Sequence, residues 1–176
     1  MDIWGFPVKP TVTLSAPAKV SLESTATDTS LSILPKGAQI EFQPDSDREN
    51  CTQVFSFRIP VNISKEQRLL GFVQDITLGI TKSGGSRVLI VADLAGTVKT
   101  FEWGFAALNL PSIDKQIHTE RFFSVQGLES AMAGSLGIQG PVPDYEATIV
   151  IKVQRINPKE VVNISIDALD IEAHVV

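Results

Sequence analysis

Few side chains in this chain have the chemistry of a metal site, and those few lie far apart. His118 and His174 are the only histidines, and Cys51 is the only cysteine. A zinc-type centre needs three or four His, Cys or acidic ligands that converge on the ion, and neither histidine has another histidine within the next four residues. The sequence therefore predicts no transition-metal site.

One acidic segment has a pattern that is typical of calcium binding. Asp45, Asp47 and Glu49 alternate, as the oxygen ligands of a calcium loop do. However, the glycine that such a loop needs at its sixth position is Asn50 here, and the acid of its twelfth position is Ser56. We interpret the segment as a solvated turn, and a calcium site built from distant loops stays an open alternative.

The candidate nucleophiles lack the surroundings that would activate them. Ser135 lies in the segment 133–137 (AGSLG), one residue away from a nucleophile elbow, but an elbow joins a strand to a helix in an α/β fold. Cys51 has no adjacent basic residue. Asp167 and Asp170 are three positions apart, so a regular strand would put these two carboxylates on opposite faces. We expect no catalytic residues, no cofactor and no enzymatic activity.

Charge and hydropathy exclude two classes of partner. The net charge is −5, and no run of Lys or Arg occurs, so the counterion release that drives nucleic-acid binding is absent. The same absence argues against a capsid protein that packages its genome by neutralising phosphate. The longest apolar runs are far shorter than the ~20 residues of a membrane-spanning helix. We expect neither nucleic-acid binding nor membrane insertion.

The N-terminus and the cysteine content indicate where the protein is made. A single cysteine forbids an intramolecular disulfide and so fits a reducing cytosol. The N-terminal segment MDIWGFP lacks the basic start and the apolar stretch of a secretory signal. We therefore expect synthesis in a cytoplasm, unless a signal peptide was removed.

Alternation of apolar and polar residues predicts β-strands through most of the chain. Successive side chains of a strand point to opposite faces. Apolar residues occupy every second position in 55–63, and again in 70–80 with Gln74 as the exception. Pro60 cannot donate a backbone hydrogen bond, so we expect the first of these strands to lie at a sheet edge or to bulge there. Further strands are expected at 11–14, 19–23, 30–33, 38–43, 87–92, 98–105, 117–125, 147–156 and 162–175.

Short turns predict how neighbouring strands pair. The glycines of 82–87 (KSGGSR) favour a turn, so the strands between residues 70 and 105 are predicted to form a three-stranded meander. The turn 157–159 (NPK) is predicted to join the last two strands in a long hairpin. The apolar register of the last strand changes between Ala168 and Leu169, which indicates a bulge.

The number and spacing of these strands give the fold class. Only residues 127–137 could form a short helix, because Leu128 and Met132 there have helical spacing. About ten short strands favour an all-β fold, an antiparallel β-sandwich of the jelly-roll kind. We expect residues 1–9 to form an N-terminal arm and residues 10–176 to form a single β-sandwich domain.

Residues 55–105 contain the segments 57–61 (FRIPV) and 71–76 (GFVQDI), and then the turn 96–98 (GTV), which follows a valine-rich strand. In this pattern the chain resembles the small jelly-roll structural proteins of bacteriophage virions. The resemblance implies a non-enzymatic capsid, spike, decoration or tail component that forms symmetric oligomers.

Residues near the N-terminus are the candidate interface. Under the virion hypothesis Trp4, Phe6 and Pro7 form an anchor that inserts into a neighbouring subunit, because exposed aromatics often mark interfaces. The alternative is that these residues fold back on their own sheet. If they are an anchor, deletion of residues 1–9 should weaken self-association and leave cooperative melting intact.

The sequence leaves two functions open. The first is a structural protein of the virion, made in the host cytoplasm, whose partners are copies of itself and other structural proteins. The second is a carbohydrate-binding or adhesive module of a secreted protein, in which Trp4 and Tyr145 would contact a glycan. Trp103 alternates with Phe101 and Phe105, so we expect it in the core, which leaves few aromatic residues for sugar stacking.

Overall fold

Twelve β-strands form in this protein, whose structure, a computed structural model, describes residues 4, 11–14, 20–42, 50–82, 86–95, 97–103, 113–123 and 137–176. Every pairing between the strands is antiparallel. The strands are β1 (Thr11–Leu14), β2 (Ser21–Ala26), β3 (Ser30–Lys36), β4 (Gln39–Phe42), β5 (Asn50–Ile59), β6 (Arg68–Lys82), β7 (Arg87–Leu94), β8 (Thr97–Trp103), β9 (Ile113–Phe123), β10 (Ile138–Gln139), β11 (Tyr145–Gln154) and β12 (Val162–Val175). The predicted all-β fold is confirmed, and the helix predicted at 127–137 lies outside the described residues except for Gly137.

Alternating burial explains why these segments form strands. In β7 and β11 every second side chain is buried, and those between are half-buried or exposed, as a sheet with one face on a core requires. The alternation in the sequence at 55–63 begins in β5 and continues past its end at Ile59, and the alternation at 70–80 lies within β6. The predicted bounds of the last strand are confirmed at Val162–Val175.

Pro60 does not occupy the edge strand or the bulge that we expected for it. β5 lies between β1 and β11, inside its sheet, and it ends at Ile59, directly before the proline. Because proline has no N–H to give to the ladder, Pro60 ends the strand instead of interrupting it.

The strands form two sheets that face each other across one core. The five-stranded sheet has the order β1-β5-β11-β7-β8. In the seven-stranded sheet β10, β6, β12, β3 and β2 follow one another, while β9 pairs with a second part of β6 and β4 with a second part of β12. Large apolar side chains from both sheets, such as Phe55, Phe57, Ile76 and Leu78, fill the core. The fold is an antiparallel β-sandwich of the jelly-roll kind, as predicted.

Two predicted strand pairings are wrong, because neighbours in the sequence lie in different sheets. β6 belongs to the seven-stranded sheet and β7 to the five-stranded sheet, so only β7 and β8 of the expected meander pair with each other. β11 and β12, the expected C-terminal hairpin, also lie in opposite sheets. Both connections cross from one sheet to the other. The prediction failed because alternation indicates which side chains face the core and does not indicate which sheet a strand belongs to.

A shared carboxylate ties the two crossing turns together at one end of the sandwich. Glu160 Oε2 accepts hydrogen bonds from the hydroxyl of Ser86 (2.6 Å) and from the backbone N–H groups of Ile156 (3.2 Å) and Asn157 (3.3 Å). Burial lowers the pKa of the nearby Lys82 ammonium, and the charge of Glu160 opposes that shift. Hydrogen bonds to a charged group are stronger than neutral ones, so they hold the turn that leads from β11 to β12.

A bulge in β12 changes which carboxylates share a face. The register with β6 shifts between Ile166 and Ala168, so Asp167 is the extra residue, slightly before the expected position. Asp167 and Asp170 are both half-buried, whereas Leu169 between them is buried. The two carboxylates therefore lie on the same outer face, and the expectation that they lie on opposite faces is wrong.

Candidate functional site

Trp4, for which the sequence left open an exposed anchor or a position folded back on its own sheet, is a core residue. Its side chain is 1% exposed, its ring centroid lies 6.3 Å from that of Phe72, and its indole N–H donates to the carbonyl oxygen of Thr29 at 2.9 Å. A buried tryptophan needs such an acceptor, and the chain supplies it within its own sandwich. Of the two alternatives, Trp4 takes the folded-back one, and the glycan contact predicted for Trp4, which needs an exposed ring, is wrong. Phe6 and Pro7, the other predicted anchor residues, lie outside the described residues.

Tyr145, predicted to be a glycan contact, is also buried. It begins β11 in phase with the buried Ala147, so its side chain enters the core. The hydroxyl donates to Gln74 Oε1 at 2.5 Å, and the ring meets that of Phe72 edge to face at 5.1 Å. Burial, and after it the charge of Asp93, raises the pKa of the phenol. A sugar ring cannot stack on Tyr145 here, so this prediction is wrong.

The remaining candidate residues do not converge on one site. Cys51 is buried in the five-stranded sheet and forms no disulfide, whereas His118 and His174 belong to strands of the seven-stranded sheet. Within the described ranges, no three His, Cys, Asp or Glu side chains are placed to hold a metal ion. The same ranges contain no helix that is long and apolar enough to cross a membrane. The calcium-like segment 43–49 and Ser135 lie outside the described residues.

The outer face of the five-stranded sheet is apolar at its centre. Val54 of β5 pairs with Val150 of β11, which pairs with Val91 of β7, so three half-buried valines form a row across three adjacent strands. Leu89 lies on the same face of β7, and Val98 on the edge strand β8 is 55% exposed. We call the surface defined by these five residues the valine face.

The valine face is bounded by cations where β5 and β7 begin. Lys152 pairs with Leu89, and Arg87 pairs with Gln154, so two positive side chains lie on adjacent strands. A shallow groove of about 320 Å³ runs over this end of the sheet. This end is basic on the central strands.

The opposite end of the valine face, where β5 and β7 stop, is acidic. Asp144 and Glu146 lie there beside the guanidinium of Arg58, and Asp93 lies one level nearer the centre, on β7. Arg58 Nε donates to Asp144 Oδ2 at 2.8 Å and lies 3.8 Å from Glu146 Oε1. The hydrogen bond with Asp144, followed by the charges of Asp144 and Glu146, raises the pKa of Arg58. Three carboxylates and one guanidinium leave this end negative.

A second concave surface lies on the outer face of the seven-stranded sheet. A groove of about 370 Å³ runs over β2, β3, β12 and β6. Asp75 lies directly opposite Asp170 in register, an arrangement of like charges that is unfavourable in a sheet. We call this surface the acidic groove; its other polar lining residues are Thr25, Thr27, Ser30, Ser32 and Glu172.

The carboxylate of Asp167 occupies a notch elsewhere on the same outer face. The hydroxyl of Ser165 donates to Asp167 Oδ1 at 2.6 Å. A Cβ at Gly79 would lie 2.5 Å from Ser165 Oγ and 3.1 Å from Asp167 Oδ2, so only glycine leaves room for this pair. Asp167, a candidate member of a carboxylate pair in the sequence, is thus held by a neighbouring hydroxyl.

Comparisons with known proteins found weak structural likenesses. No protein-family model matches the chain, and no curated protein matches it. The carbohydrate-binding module TmCBM61 in complex with β-1,4-galactotriose is 10% identical, with a TM-score of 0.34 over 96% of this chain and 88% of that chain. A chain of Broad Bean Stain Virus is 10% identical, with a TM-score of 0.27 over 92% and 91%.

A third solved structure is of the same kind as the first. The family 11 carbohydrate-binding module from Clostridium thermocellum, in complex with a β-1,3-1,4-mixed-linked tetrasaccharide, is 12% identical, with a TM-score of 0.21 over 98% of this chain and 93% of that chain. Identities and TM-scores this low carry no argument about what this chain binds. The resemblance to bacteriophage proteins therefore stays a prediction.

Proposed function

We propose that this protein is a non-enzymatic structural component of an assembly, a β-sandwich building block that associates with copies of itself in a virion. The observation that carries the proposal is the valine face. One face of an antiparallel sheet packs on the core, and its other face normally carries polar residues where it meets water. Here Val54, Val150 and Val91 occupy the centre of that second face on three adjacent strands.

The shape and chemistry of the valine face fit a protein partner. Valine is β-branched and has little rotamer freedom to lose on contact, so a row of valines forms a rigid surface. Charged side chains around an apolar centre are the usual arrangement of a protein interface. The resemblance of residues 55–105 to virion proteins supports a virion as the assembly, and the net charge of −5 supports protein partners over nucleic acid.

Light scattering coupled to size-exclusion chromatography tests the proposal. We expect the native protein to form an oligomer whose mass falls to that of the monomer in Val150→Lys, because the new charge would be buried in the contact. Thr25→Lys, which adds the same charge to an exposed position of the other sheet, is the matched control and should leave the oligomer intact. A native protein that stays monomeric at every concentration would refute the proposal.

Carbohydrate binding in a secreted module is the second candidate, and the acidic groove supports it. Carboxylates and hydroxyls can bond to sugar hydroxyls without any aromatic platform, which matters because Trp4 and Tyr145 are buried. A glycan array followed by calorimetry tests this candidate. A monomer that binds a glycan saturably, and loses that binding in Asp170→Asn, would favour it over assembly.

A further inference from the structure

We propose that two copies of this chain pack valine face on valine face, related by a two-fold axis that runs along the row of valines, perpendicular to the strands. This inference rests on the proposed function, since it needs self-association, and it names the partner and its orientation. The most abundant symmetry of soluble oligomers is the two-fold dimer, in which one surface patch must be complementary to itself. The valine face meets that condition in both its apolar centre and its charged ends.

The central row divides the face into two halves of equal length. Along β11, Lys152 lies two residues beyond Val150 on one side, and Thr148 lies two residues before it on the other. Glu146 follows one level further out on the Thr148 side. Residues that lie side by side across the strands, at one distance from the valine row, form one level of the face. A two-fold axis along the valine row therefore places each level of one copy over the level of the second copy that lies at the same distance on the opposite side of the row.

Only this direction of the axis brings opposite charges together. Rotation about the valine row reverses the strand direction, so the basic end with Arg87 and Lys152 meets the acidic end of the second copy, with Asp93 and Glu146. An axis parallel to the strands would put basic end on basic end. Like charges across an interface cost free energy and opposite charges fix the register, so the charge pattern selects the first arrangement.

The remaining cation of the face does not oppose this arrangement. Arg58 lies at the same level of the sheet as Glu146, on the adjacent strand β5. Under the proposed axis it lies over Asn50 of the same strand in the second copy, which is neutral. Arg87, the cation of that level, is on β7, two strands away from Arg58 and next to the strand of Glu146.

The size of the face is sufficient for a specific dimer of modest affinity. The five strands of this sheet, which are four to ten residues long, give a surface of about 640 Å² at a rise of about 3.4 Å per residue and a spacing of about 4.8 Å. Specific interfaces bury about 800 Å² on each partner. Two sheets packed face to face lie about 10 Å apart, a gap that lysine and glutamate side chains at the two ends can bridge.

Charge reversals on β11 and β7 test the orientation, because Lys152 and Asp93 lie one level to either side of the valine row and their levels therefore face each other under the proposed axis. Lys152→Glu places two acids opposite each other at both ends of a homodimer, and Asp93→Lys places two lysines there. Each variant alone should dimerise about tenfold more weakly than the native chain. In an equimolar mixture the two variants should pair with each other, because both contacts of the heterodimer join opposite charges. Lys36→Glu, the same reversal on the exposed face of β3, should have no effect.

The outcomes separate this inference from the proposed function. Analytical ultracentrifugation of the single variants and of their mixture gives the dimer constants, and circular dichroism with thermal melting shows that each variant folds. Dimers restored only in the mixture support the arrangement. A native dimer that persists unchanged in both single variants overturns the arrangement and leaves self-association standing. A native monomer overturns both.

Discussion

The hydrogen bond between Tyr145 and Gln74 joins the two sheets inside the core, and its removal should destabilise the protein. Gln74 lies on β6, in the seven-stranded sheet, and is completely buried. Its amide Nε2 donates to the carbonyl oxygen of Leu94, at the end of β7 in the opposite sheet, at 3.2 Å. Its Oε1 accepts the hydroxyl of Tyr145 at 2.5 Å. The side chain thus satisfies two groups of the facing sheet.

The structure sets the size of the effect. Tyr145→Phe keeps the ring on Phe72 and leaves Gln74 Oε1 buried without its donor, which should cost about 1–3 kcal/mol. Gln74→Met leaves the tyrosine hydroxyl without its acceptor and removes one donor to the carbonyl of Leu94, and should cost about 2–5 kcal/mol by the same reasoning. In the double variant only the donor to the carbonyl of Leu94 is lost. The double variant's loss of stability should therefore be smaller than the sum of the single losses by about 1–3 kcal/mol.

Urea unfolding followed by tryptophan fluorescence measures these differences. With a slope of about 2 kcal/mol per molar urea, Tyr145→Phe should lower the midpoint by about 1 M. Thr25→Val removes an exposed hydroxyl from β2 and should change the free energy of unfolding by less than about 0.5 kcal/mol. The reasoning is refuted if Tyr145→Phe is no more destabilising than this control, or if the two core substitutions are additive.

Two further predictions concern the buried aromatic residues. Tyr145 is the only tyrosine, and burial raises its pKa above the ordinary 10.0; absorbance should therefore show tyrosinate near pH 10.0 in the urea-unfolded chain but not in the folded one. Above pH 10.0 the unfolded state binds fewer protons than the folded state. The free energy of unfolding of the native protein should therefore fall by about 1.4 kcal/mol more per pH unit than that of Tyr145→Phe, and equal pH slopes for the two proteins would contradict the burial of Tyr145. Trp4→Ala should cost about 3–5 kcal/mol in urea unfolding, and Trp4→Phe, which loses the N–H donor to Thr29, a smaller amount. Deletion of residues 1–9 should therefore lower stability as well as any self-association, and a deletion variant as stable as the native chain would contradict the core position of Trp4.

The strands could be predicted from the sequence because alternation is a local property. The bounds of β12 and the existence of its bulge follow from the phase of Ile166, Leu169 and Ile171 alone. The pairing could not be predicted, because a turn that crosses between sheets and a turn that closes a hairpin need the same residue types. Only long-range bonds such as that between Ser86 and Glu160 distinguish the two, and these carry no signal in a single sequence.

The burial of Tyr145 and the valine face were not predicted from the sequence, although the sequence carries part of the signal for both. Tyr145 is in phase with Ala147, so extending the alternation of β11 by one step would have predicted its burial. Val91 and Val150 occupy positions of β7 and β11 whose side chains alternate with the core residues. Apolar residues in that second phase indicate a covered outer face. Trp4 has no periodic neighbours, so its contact with Thr29 could not be inferred from the sequence.

The position of β11 and β12 in the sheets has a consequence for synthesis of the protein. β11 is the strand that joins β5 to β7, and β12 joins β6 to β3 and β4. The ribosome releases all the other strands first, so the emerging chain carries unpaired strand edges until residues 145–175 follow. Pairings between segments so distant form slowly, and exposed edges promote aggregation. A nascent chain halted before residue 145 should therefore be unable to complete either sheet and should depend on chaperones to stay in solution.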